Sequence, residues 1–156
     1  MKKPGGRSVP IILPRTTNLV IRNDMAELAQ LSEALERIGA EHGIDPKSLT
    51  QLQVALEEMV SNVIRYGWPE QGTHHIEVLI TVGTDEVKIE IADDGRLFNP
   101  LHASSPERPL PGQRPQPGGV GIHMVKQLVD TIQFARIEER NRLTLTKRCA
   151  FGVPPR

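Results

Sequence analysis

Glu58 and Asn62 stand four residues apart on a stretch whose apolar spacing reads as a helix. Side chains at that spacing leave one helix surface as neighbours. A carboxamide oxygen is a hard ligand for a Mg²⁺ ion that still carries waters and phosphate oxygens. A carboxylate beside it is placed to take a proton from a hydroxyl or a water. Further on, Asp93-Asp94-Gly95 closes an apolar strand, and Gly118-Gly119-Val120-Gly121 opens a second helix. Asp93 shares its strand parity with Ile89 and Ile91, so its carboxylate points with the core-facing side chains and needs a partner there. The exocyclic amine of adenine is one such partner. Asp94, of opposite parity, suits a plain turn role. Free N–H groups at a glycine-rich helix start form a cradle for phosphate. Taken singly, a Glu and an Asn at a helix border, or an Asp-Gly turn after a strand, are ordinary features, and the glycines are a weak signal. In this order along one chain they look like a nucleotide site.

The elements that must position these residues can be read from periodicity. At about 100° per residue, Leu52, Ala55, Leu56, Met59, Val60 and Val63 share one apolar arc. Asn62 falls about 20° outside Ala55 and Glu58 about 40° beyond Asn62, which puts both at the border of the buried face. Asp45-Pro46 starts this helix with proline in the first turn, and Gly67 stops it after Tyr66. An earlier helix is capped by Asn23-Asp24, with Glu27 completing a capping-box pattern. Leu28, Leu31, Leu35 and Ile38 carry its apolar stripe, and Gly39 and Gly43 weaken and end it. Leu19-Val20-Ile21 reads as a strand. Ile76 to Val82 and Val87 to Ile91 alternate as a hairpin about Gly83-Thr84-Asp85-Glu86. The glycine-rich helix spans about Val120 to Val129. Thr131 to Ile137 and Leu143 to Thr146 form two last strands, turned near Glu139-Arg140-Asn141. Residues 99–118 hold six prolines, which excludes helix and central strand there. So long a connection between the Asp-x-Gly turn and the glycine-rich helix is placed to act as a lid, and Arg108 and Arg114 in it are candidates for phosphate. The order β-α-α-β-β-loop-α-β-β predicts an α/β two-layer sandwich, with a mixed, mostly antiparallel sheet and helices on one face.

The composition narrows the class. The 156 residues suit one compact domain, and 38% hydrophobic with 3% aromatic residues predicts an aliphatic core. Nineteen basic and nineteen acidic residues leave a formal net charge of +0. That balance argues against a general affinity for nucleic acid or an acidic membrane. The lone Cys149 excludes an intrachain disulfide and suits a reducing compartment, and no apolar run is long enough to span a bilayer, so a cytoplasmic protein is expected. The glycine motif is not a dinucleotide fingerprint, because Pro117 precedes it and Met124 stands where the third glycine belongs. The phosphate-loop Gly-Lys-Ser/Thr ending is absent as well. No cluster has zinc-ligand spacing, and Cys149 is a poor nucleophile candidate.

Four segments together resemble one family. They are residues 56–67 around Glu58 and Asn62, 93–100 from Asp93, 118–122 from Gly118, and Asn141-Arg142-Leu143-Thr144-Leu145-Thr146-Lys147. They look like the successive boxes of the gyrase, chaperone, histidine-kinase and mismatch-repair ATPase superfamily. The likeness is nearest to its anti-sigma-factor serine/threonine kinase branch, and it covers residues 17–148, between an N-terminal arm of 1–16 and a tail of 149–156. The resemblance implies the Bergerat ATP-binding fold and ATP with Mg²⁺ as cofactors. It implies Asn62 as the Mg²⁺ ligand and Glu58 as the general base. Asp93 would bind the adenine amine, and Gly95 would let the chain pass close to the ring. Gly119, Val120 and Gly121 would lie at the phosphates. It further implies a homodimer that phosphorylates Ser or Thr of an anti-anti-sigma partner and sequesters a sigma factor. A module that holds its partner and uses ATP only as a conformational ligand, or a stand-alone ATPase, are the other readings. Where many members carry a second glycine, Leu97 stands here.

Overall fold

A computed structural model describes residues 14–102 and 119–152. Most of the proline-rich connection, with Arg108, Arg114 and Gly118, lies outside the described residues, as do residues 1–13 and 153–156. The elements run β1 (Arg15–Arg22), a 3₁₀ turn (Met25–Glu27), α1 (Leu28–His42), α2 (Pro46–Tyr66), β2 (His75–Val82), β3 (Glu86–Asp93), a second 3₁₀ turn (Pro100–His102), α3 (Gly119–Leu128), β4 (Thr131–Ile137) and β5 (Arg140–Arg148). This is the predicted order, with a two-layer α/β arrangement.

The sheet order is β1-β2-β3-β5-β4, and every pairing is antiparallel. The expected parallel pair is absent for a topological reason. The crossover through α3 does bring β4 back in the direction of β3, but one strand position away, and β5 fills the gap as the hairpin partner of β4. The hairpin turn is Glu138-Glu139, two residues with φ of 52° and 63°. Positive φ at both central positions is the type I′ geometry that matches strand twist. Asn141, expected in the turn, is therefore a strand residue, opposite Asp93 of β3 and Arg136 of β4.

Local chemistry explains most boundaries. Asp45 caps α2 by accepting from the Ser48 N–H at 3.0 Å, with Pro46 in the first turn. Gly43 ends α1 in the left-handed region at φ 69°, and its amide donates to the Gly39 carbonyl. Asp24 accepts from the Ala26 N–H at 2.9 Å. The capping box does not close: the Glu27 carboxylate turns to the Arg22 backbone N–H and guanidinium instead, where it gains an ion pair. β1 runs longer than the expected Leu19-Val20-Ile21, from Arg15 to Arg22, because it pairs along its whole length with β2, and the Thr16 and Thr81 hydroxyls lie 3.1 Å apart across that pairing. Prolines permit the single 3₁₀ turn at Pro100–His102, which needs no continuing amide ladder. At the other end, residues 149–152 dock on the α1–α2 corner, where the Gly152 N–H donates to Gly43 and Ile44 bridges Phe151.

The core lies between the helices and one sheet face. Leu35, Leu56, Val78, Ile89, Ile122 and Leu145 are at most 1% exposed, and none is aromatic. Burying side chains of this size contributes about 1.5–3 kcal/mol each. α2 packs against both α1 and α3, so it is the central helix and holds Glu58 and Asn62 against the start of α3.

Candidate functional site

The α2 arc positions its two polar groups differently. Asn62 is 6% exposed and Glu58 is half-buried, so Asn62 sits further inside than the helical wheel predicts. The first turn of α3 covers it. A Cβ on Gly121 would lie 2.8 Å from Glu58 Oε2 and 3.8 Å from Asn62 Nδ2. The structure thus brings Glu58, Asn62 and Gly121 to one point. Gly119 and Gly121 both fall in the first turn of α3, where backbone N–H groups have no intrahelical acceptor. Val120 lies between them. Asn62 Nδ2 is buried and has no hydrogen-bond partner among the described residues. Leaving such a group unpaired costs about 1–3 kcal/mol. A donor kept there without a partner fits a role in binding a ligand that brings an acceptor.

Asp93 ends β3 on the buried face, as its parity predicts, and is 4% exposed. Its Oδ1 accepts from the Gly95 N–H at 2.9 Å and from Asn141 Nδ2 at 3.1 Å. Burial pushes its carboxyl above the usual carboxylate range. The Asn141 and Gly95 hydrogen bonds pull it back, as does the charge of Arg136. Asp94 is exposed and accepts from Trp68 Nε1 at 3.2 Å, while the turn role expected of it falls to Asp93, which accepts from the Gly95 N–H two residues on. Asp93 and Asn62 line one pocket, a cavity of about 20 Å³ walled by Met59, Ile91, Phe98 and Phe134. That cavity is far smaller than a small-molecule site, but apolar walls with a few polar groups are the lining such sites have. The chemistry of the lining suits a flat heteroaromatic ring with a donor at its edge, and the walls must part to admit one.

Gly95 has a structural task besides any contact with a ring. A Cβ there would meet the Gly67 carbonyl oxygen at 2.6 Å and Asp93 Oδ1 at 2.9 Å. The turn is stapled to the end of α2 by Arg96, whose N–H donates to Gly67 and whose Nε donates to Tyr66. The two glycines should therefore respond differently to alanine. Gly95→Ala presses on backbone and is expected to cost about 1–3 kcal/mol in thermal unfolding. Gly121→Ala presses on the end of a flexible side chain, so it should leave the melting temperature nearly unchanged while displacing Glu58. Equal melting shifts for the two variants would contradict this assignment.

The sequence points to Glu58, Asn62, Asp93, Gly95 and the α3 glycines; it sets Asn141 at the head of the fourth family-like segment without a role, and gives no sign of Arg136. Asn141 is 5% exposed and donates to Asp93 Oδ1 and to the Arg96 carbonyl. Arg136 donates to Asn141 Oδ1 and to the Gly95 carbonyl. The available signal was parity: Asn141 alternates with Leu143 and Leu145, the core-facing residues of β5.

Residues 21–147 match the histidine kinase-like ATPase domain family, and the chain belongs to it. Its relatives include proteins of the kinase and anti-sigma kind. The serine/threonine-protein kinase BtrW of Bordetella bronchiseptica is 26% identical over 99 residues, 64% of this chain and 70% of that protein. The anti-sigma F factor of Oceanobacillus iheyensis is 24% identical over 106 residues, 62% of this chain and 68% of that one. A solved structure of the RsbU and RsbW domains of Rv1364c from Mycobacterium tuberculosis shares the fold, with a TM-score of 0.60 at 15% identity. That likeness covers 86% of this chain and 32% of the other. The chain is thus an ATPase domain of a kind found in serine kinases and anti-sigma factors. Among the described residues no helix is long and apolar enough to cross a membrane.

Proposed function

We propose that this chain is an ATP- and Mg²⁺-dependent protein serine/threonine kinase. It phosphorylates an anti-anti-sigma partner and so controls a sigma factor by partner switching in the cytoplasm, acting as a homodimer. The observation that carries the reading is the buried Asn62, its Nδ2 donor unpaired among the described residues, beside Glu58 and under the glycine turn of α3. Family membership supports ATP as the nucleotide, and the names of the relatives support the kind of acceptor.

In this reading Asp93 accepts a hydrogen bond from the adenine amine, and the apolar walls hold the ring. The first-turn N–H groups of α3 face the phosphates. Asn62 would hold Mg²⁺ through Oδ1, the ion supplying charge neutralisation at the phosphate oxygens. Glu58 takes the proton of the incoming Ser or Thr hydroxyl. That oxygen bonds to the γ-phosphorus, the bond from the γ-phosphorus to the bridging oxygen breaks, and ADP leaves.

Incubation with γ-labelled ATP and candidate anti-anti-sigma proteins tests this. Label on a Ser or Thr of the partner supports the kinase. Nucleotide binding without transfer supports the partner-holding module, and label released only as phosphate supports a stand-alone ATPase.

The raised Asp93 pKa gives a pH prediction with opposite signs for stability and binding. A carboxyl whose folded pKa lies above its unfolded value contributes stability at low pH that is lost as pH rises through the folded pKa. Asp93→Asn should therefore not lower the melting temperature at neutral pH, although it removes the acceptor for the amine. Binding needs the ionised form, so ATP affinity of the wild type should fall on acidification, beginning above the ordinary Asp value of about 3.9. Affinity measured against pH checks this; a profile that is flat until the ordinary Asp range is reached would contradict it.

A further inference from the structure

Asp93, Asn141 and Arg136 stand side by side in register on β3, β5 and β4, on the face toward the pocket. The order of donors along this row is forced. A guanidinium only donates, so Arg136, at 2.9 Å, turns the Asn141 carbonyl oxygen toward itself. The Asn141 NH₂ must then face the other way. There it donates to Asp93 Oδ1 at 3.1 Å and to the Arg96 carbonyl at 2.8 Å, so both amide hydrogens are engaged. Asp93 Oδ1 takes a second hydrogen bond from the Gly95 N–H at 2.9 Å. Among the described residues Oδ2 accepts none, and Asp93 lines the pocket. Arg136 also donates to the Gly95 carbonyl at 3.1 Å, which ties the edge strand to the same turn.

We propose that Arg136 and Asn141 are positioning residues that make this pocket select 6-amino over 6-oxo purines, by occupying one Asp93 oxygen and presenting the other as a pure acceptor. The inference rests on the reading of this pocket as the adenine site. An acceptor-only oxygen pairs with an exocyclic amine. Against a 6-oxo purine it meets another lone pair, and two acceptors are left unpaired in a buried place. Remove the row and the carboxyl can rotate or take up a proton, and a neutral acid can donate to a 6-oxo group. Selection then depends on groups that need not touch the base.

The test is competition binding of ATP and ITP, with Mg²⁺, on the full chain. The variants are Arg136→Met, Arg136→Lys and Asn141→Leu, each checked by circular-dichroism melting. Wild type should prefer ATP by about 100-fold or more. Arg136→Met and Asn141→Leu should narrow that ratio by about tenfold or more, the scale of one lost hydrogen bond to a charged group. Arg136→Lys, which still donates to Asn141 Oδ1, should retain most of it. Equal losses for ATP and ITP, leaving the ratio where it was, would show a merely structural role and overturn the proposal. Should Asn141→Leu fail to fold, Arg136→Met decides alone, because Arg136 is exposed on an edge strand. Failure of the wild type to bind either nucleotide overturns the adenine site and this inference together. ATP binding that needs Asp93, with an unmoved ratio in the variants, overturns the inference alone.

Discussion

Asn62→Ala should lose Mg²⁺-dependent ATP binding by more than about 100-fold, since even an outer-shell partner of a metal site is worth about 10–100-fold. Its thermal stability should barely change. The two halves of this prediction come from one fact, that the amide is buried and Nδ2 is unpaired. An ordinary core Asn is held by hydrogen bonds, and truncating it strands its partners. Here truncation strands no partner among the described residues and removes an unsatisfied donor, which offsets the small cavity left behind. Calorimetric titration of ATP with Mg²⁺, beside a melting curve, checks both halves. Unchanged affinity would remove Asn62 from the site, and a large melting loss would make it a structural residue.

Glu58→Gln should bind ATP nearly as the wild type does and transfer phosphate about 10²–10⁴-fold more slowly, the usual size of a general-base contribution. Glutamine keeps the shape and the polar end of the side chain but cannot take the proton. The close approach of Gly121 to Glu58 Oε2 places the carboxylate beside the first turn of α3, next to Asn62. Single-turnover transfer to the partner, measured with saturating ATP, separates the chemical step from binding. Full-rate transfer by Glu58→Gln would mean that the base lies elsewhere.

The elements, and the faces on which the candidate residues lie, were legible in the sequence because both are local. Helix and strand periodicities place Glu58, Asn62 and Asp93 on known faces, and glycine marks the start of α3. What it did not carry depends on strand order. Asn141 lies 48 positions from Asp93 in the chain and meets it only because β5 slots between β3 and β4. The same intercalation makes the sheet wholly antiparallel. The depth of Asn62 was also underestimated, since a helical wheel knows nothing of α3 packing over that border. Gly95 shows a third limit: the neighbour that demands glycine is the Gly67 carbonyl, at the end of a different element. The turn Glu138-Glu139 lacks the Asn-Gly signature of its type, so the expected turn starts one residue late and ends two residues late.

The central claim is that Asn62, the start of α3 and the Asp93 pocket form one ATP–Mg²⁺ site. Titration of the wild type with ATP, with and without Mg²⁺, tests it most directly. Trp68 is the sole tryptophan, and its hydrogen bond to Asp94 puts a fluorescent reporter next to Asp93. Trp68 emission should change saturably with ATP, with binding much tighter when Mg²⁺ is present and that gain lost in Asn62→Ala. No binding, or binding indifferent to Mg²⁺ in both proteins, would contradict it.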